Sequence, residues 1–144
     1  MTYRLAVTPG EPSGVGPELM YHLSKLDLKD TQLVIIASKE LIAQRIALFN
    51  SSHTESVKIT DYSKDNFVPQ TKGTLCVLDV PLAVPSVPGK LDKRNAKYVL
   101  DCLDIASDKS VSGEFSGIVT GPISKAVIAD TGLNFTGHTE YFQE

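Results

Sequence analysis

The chain has 144 residues, 42% of them hydrophobic and 22% charged, a size and composition that suit one globular domain with its own core. A net charge of −3, with no Lys/Arg run, argues against nucleic acid or an anionic membrane surface as the main partner. No apolar run reaches the length of a membrane span, and Met1-Thr2-Tyr3-Arg4 enters its first apolar run without the marks of a signal peptide, so a cytoplasmic protein is expected. Cys76 and Cys102 lie far apart in apolar contexts and are expected to be buried thiols. There is no Cys-x-x-Cys, and His22, His53 and His138 are scattered, so no metal site is expected within this chain.

Tyr3 to Val7 reads as a short buried strand. It runs into Thr8-Pro9-Gly10-Glu11-Pro12-Ser13-Gly14-Val15-Gly16-Pro17, where glycines and prolines forbid regular structure and give a stiff, shaped loop. Pro17 suits the first position of a helix, Glu18 suits its dipole, and Leu19, Met20, Leu23 and Leu26 extend it. Strand, Gly-rich loop and helix in that order look like a phosphate cradle. The loop lacks the Gly-Lys-Ser/Thr of a P-loop, however, and its glycines miss the Gly-x-Gly-x-x-Gly spacing. Glu11 also disfavours phosphate, so a rigid turn at the edge of a sheet is an equal reading.

Leu33 to Ala37 is a continuous apolar run, the mark of a strand covered on both faces. Ser38 is placed to cap a helix carrying Leu41, Ile42, Arg45, Ile46 and Phe49 at helical spacing. His22 within the first helix and His53 in a polar stretch read as surface residues. Val57 to Thr60 alternates like an edge strand, and Leu75 to Leu78 reads as another buried one. After an extended segment punctuated by Pro81, Pro85 and Pro88, Asp92 is the expected N-cap of a further helix. Asn95, Tyr98, Val99, Cys102, Leu103 and Ala106 form the core stripe of that helix.

Gly117 to Thr120 is a very short strand, stopped by Gly121-Pro122, and Ile123 to Ala129 reads as a helix. Thr120 and Lys125 therefore fall at a strand end and a helix start, the edge where open α/β sheets bind ligands. Thr120 as a helix cap and Lys125 as a surface residue are the plainer alternatives. The richest cluster is Asn134-Phe135-Thr136-Gly137-His138-Thr139-Glu140-Tyr141-Phe142. Gly137 permits close approach, while His138 and Thr139 offer both donors and acceptors to a small polar ligand. The same residues also read as a turn with Thr139 capping a helix. The alternation of strand and helix predicts a mostly parallel α/β sheet with helices on both faces.

Several blocks, taken together, resemble one family. Val7-Thr8-Pro9-Gly10-Glu11-Pro12-Ser13-Gly14-Val15-Gly16-Pro17-Glu18 resembles the opening of the 4-hydroxythreonine-4-phosphate dehydrogenases of vitamin B6 synthesis. Gly89-Lys90-Leu91 with Asn95-Ala96 and Tyr98-Val99 is similar to the middle of that family. Val119-Thr120-Gly121-Pro122 with Lys125, and Phe135-Thr136-Gly137-His138-Thr139-Glu140, are similar to a third region. The resemblance implies an isocitrate/isopropylmalate dehydrogenase-like fold, of which residues 1–144 form an N-terminal α/β portion, with about residues 120–144 leading into a second domain.

The resemblance also implies an NAD- or NADP-dependent oxidation of 4-(phosphooxy)-L-threonine, followed by loss of carbon dioxide to give 3-amino-2-oxopropyl phosphate. It implies a divalent metal (zinc, magnesium or cobalt) held by histidines beyond Glu144, and a homodimer when full length. His138 and Thr139 match the family's paired substrate contacts. Thr120, Gly121 and Lys125 match a motif near the site without a settled role, and catalytic and cofactor-binding residues are not identified. The 144-residue chain alone is expected to be inactive. A paralogous dehydrogenase of 4-phosphothreonate or 4-phosphoerythronate is the near alternative, and a non-catalytic phosphate-binding module the alternative of another class.

Overall fold

The central strand of the sheet, Thr31–Ala37, is built from residues that suit burial on two sides. In the computed structural model, which describes residues 2–10, 12, 16–49, 57–82 and 93–120, the chain forms β1 (Tyr3–Thr8), α1 (Gly16–Leu23), β2 (Thr31–Ala37), α2 (Lys39–Phe49), β3 (Lys58–Asp61), β4 (Thr74–Asp79), α3 (Ala96–Val111) and β5 (Gly117–Thr120). The sheet order is β3-β4-β2-β1-β5, and every pairing is parallel. Parallel neighbours need crossovers, and the crossovers cover the faces.

Side chains alternate across the sheet. Val7, Leu33, Ile35, Ala37, Leu75 and Val77 meet Met20 and Tyr21 of α1 and Ile42 and Ile46 of α2 on one face. Ala6, Val34 and Ile36 meet Tyr98, Val99, Cys102 and Ala106 of α3 on the other, with Cys76, Leu78 and Ile118 packed beside them. The unbroken run Leu33–Ala37 follows from this arrangement, because β2 has no solvated face. Burying a side chain such as Ile36 is worth about 1.5–3 kcal/mol.

The amino-end edge of the sheet is closed by polar contacts. The Gln70 side-chain amide donates to the carbonyls of Leu23, Thr71 and Thr74 at 3.3, 3.1 and 2.8 Å. Its backbone N–H reaches Thr31 O at 2.9 Å, and Leu28 N–H reaches Gln70 O at 2.9 Å. On the α3 face, the Arg4 guanidinium lies 5.6 Å from the Tyr62 ring centroid and 5.8 Å from that of Phe67, while its Nε donates to Gln32 Oε1 at 2.9 Å.

The expected parallel sheet with helices on both faces is therefore observed, as are the edge position of β3 and the α3 stripe, all six of whose residues are buried. Two expectations are corrected. α1 stops at Leu23, short of Leu26, and Leu19 and Leu26 are exposed while Tyr21 is buried. The cause is local: Lys25 and Leu26 N–H groups bond three residues back, to His22 and Leu23, and the Ser24 hydroxyl turns onto Tyr21 O. α3 begins at Ala96 with Asn95 as its N-cap, because Lys93–Asn95 form a tight 3₁₀ turn first. Asp92, the expected cap, lies outside the described residues, as do His53, Pro85, Pro88 and the expected helix from Ile123 to Ala129.

Candidate functional site at the β1/β5 switch

The strand order locates the site. From β1 the chain crosses α1 to β2 on one side; from β4 it crosses α3 on the opposite face and lands at β5, on β1's other side. The connections thus diverge between the carboxyl ends of β1 and β5, and this topological switch is where open α/β sheets bind ligands. Thr8 and Thr120 are register partners there. Both side chains lie on the α3 face, since Thr120 follows Ile118 by two residues and Ile118 packs against the α3 cluster.

At the neighbouring helix terminus, three backbone donors are taken up within the fold. At the start of α2, Ser38 N–H donates to Tyr98 Oη at 2.8 Å, Lys39 N–H to Asp79 Oδ1 at 2.8 Å, and Leu41 N–H to Ser38 Oγ at 3.1 Å. The Lys39 ammonium is held by Asp61 at 2.8 Å. Donors that would attract an anion are thereby occupied from within the fold. Ser38 caps the helix as its sequence position predicts. The contributions of Tyr98 and Asp79, distant in sequence, leave no local signal.

Beyond Thr8, the wall of the switch is formed by Pro9, Gly10, Ile36, Tyr98, Val99, Cys102 and Leu103. Among the described residues this wall carries no charged side chain. Burial pushes the Cys102 thiol up to about 12, despite its hydrogen bond with Tyr98. Burial likewise raises the Tyr98 phenol, with a further push from Cys102. Both groups keep their protons. The other thiol, Cys76, is half-buried and also raised, by burial first.

Of the residues singled out in the sequence, Thr120 is exposed at the end of β5, beside Thr8. Gly121, Lys125, His138 and Thr139 lie outside the described residues. Thr8 was read only as part of the Gly/Pro loop; its position as the last residue of a buried strand is what gives it a place at the switch. Among the described residues no three His, Cys, Asp or Glu side chains gather to hold a metal ion, so these residues do not themselves form a divalent-cation centre. Among them, too, no helix is long and apolar enough to cross a membrane.

A parallel α/β unit with a topological switch between β1 and β5 is the class that this geometry defines. The family model described as pyridoxal phosphate biosynthetic protein PdxA matches residues 29–144, and the chain belongs to that family. It is 46% identical over 145 residues to the 4-hydroxythreonine-4-phosphate dehydrogenase of Colwellia psychrerythraea, covering 99% of the chain and 42% of that relative. It is 46% identical over 142 residues to the enzyme of the same name from Vibrio cholerae, covering 98% of the chain and 42% of that relative. A solved structure of 4-hydroxythreonine-4-phosphate dehydrogenase from Klebsiella pneumoniae superposes with a TM-score of 0.80 over 97% of the chain and 42% of its own, at 24% identity, and shows the same fold. The chain thus spans about two fifths of the length of the relatives it matches.

Proposed function

We propose that the chain is the N-terminal part of an NAD(P)-dependent dehydrogenase that oxidises the C3 hydroxyl of 4-(phosphooxy)-L-threonine in pyridoxal 5′-phosphate synthesis. The observation that carries this reading is 46% identity sustained over 99% of the chain to a relative of that name. The nicotinamide ring supplies the hydride acceptor. Oxidation gives 2-amino-3-oxo-4-(phosphooxy)butanoate, which loses carbon dioxide to form 3-amino-2-oxopropyl phosphate. His138 and Thr139 are assigned to hold the substrate, where an imidazole and a hydroxyl supply matched donors and acceptors. Thr120 at the end of β5, with Gly121 and Lys125 after it in the sequence, is assigned near that contact without a defined role. In this reading residues from about 120 lead into a second domain, and the family resemblance puts the site between the two domains of a cytoplasmic homodimer. The divalent metal of this reading belongs to histidines after Glu144.

The test uses the complete product of the reading frame that encodes the chain. NAD(P) reduction with 4-(phosphooxy)-L-threonine and a divalent metal is measured for wild type and His138→Ala. Turnover that falls by about 100-fold or more in a folded variant supports the assignment. Turnover of 4-phosphothreonate or 4-phosphoerythronate instead moves the protein to the paralogous branch. Phosphate binding without turnover of any of these leaves a binding module.

A further inference from the structure

We draw no further inference here: the strongest candidate, the edge strand β5 with its exposed Val119, is an apolar sheet edge without a neighbouring strand among the described residues, and nothing in the structure shows what covers it.

Discussion

The Tyr98 hydroxyl accepts the Ser38 amide proton at 2.8 Å, so a side chain of α3 completes the cap of α2 across the carboxyl edge of β2. Both residues are buried, and the two helices lie on opposite faces of the sheet. Tyr98→Phe keeps the ring and strands the Ser38 N–H. Urea unfolding is expected to show a loss of about 1–3 kcal/mol, the cost of an unsatisfied buried donor. A loss near zero would mean that another acceptor reaches Ser38.

Glu114 binds the Tyr62 hydroxyl at 2.6 Å and the Lys109 ammonium at 3.2 Å. Burial works against its charge, but these two donors outweigh burial and hold the carboxyl below its usual range. A depressed carboxyl stabilises the fold fully above its unfolded value of about 4.3, and that contribution is lost as pH falls through the folded value. Wild type is therefore expected to lose stability below about pH 4.3 more steeply than Glu114→Gln, as read by urea midpoints across acid pH. Tyr62 has the opposite sense: burial, then the Glu114 bond, raises its phenol. Its contribution is complete below about pH 10 and lost as pH rises beyond.

Gln70 offers donors to three carbonyls, so charge and shape at this position separate cleanly. Gln70→Leu removes the donors and is expected to cost about 1–3 kcal/mol. Gln70→Glu places an acceptor against three acceptors and is expected to cost more. Denaturant midpoints of the two variants give the order directly; leucine costing as much as glutamate would show that packing, rather than donation, holds this edge.

Gly113 follows α3 at a φ of 87°, where its N–H closes the helix on Ser110 O at 3.2 Å. Nothing lies within 4 Å of the place a Cβ would occupy. The cost of substitution is thus conformational. Gly113→Ala is expected to lower stability by about 1–2 kcal/mol, and Gly113→Asn by less, because asparagine tolerates the left-handed region better. Thermal melts of both variants test the order.

Cys102 sits against Tyr98 with its thiol pushed up to about 12. The native protein at pH 8 is expected to resist alkylation at this position, and urea is expected to expose it, because the thiolate is the reacting species. Mass spectrometry after iodoacetamide treatment reads the difference; rapid native labelling of Cys102 would contradict its burial.

The run Leu33–Ala37 and the α3 stripe were legible because burial on two faces, or on one face of a sixteen-residue helix, leaves a long regular pattern. α1 misled because it has only eight residues, too few to separate a stripe from a coincidence, and Ser24 ends it by a bond that no periodicity reports. The start of α3 shifted because Asp92 and Asn95 both suit a cap and the intervening 3₁₀ turn has no strong signature. At the site, Thr120 was recognisable as a strand end before a Gly-Pro stop. Thr8 was not, because its significance depends on which strand arrives beside β1, and that is a matter of long-range pairing.

That pairing also sets an order of events. Leu5 aligns with Gly117, so the β1–β5 ladder joins residues from almost opposite ends of the described chain. Loops of that length close late and slowly. As the polypeptide leaves the ribosome, β1 can pair with β2 early, but its other edge stays open until β5 has been synthesised. During that interval an unpaired, apolar strand edge is available to other nascent chains. The strand order that places two threonines together at the switch therefore leaves one edge of β1 uncovered until β5 arrives.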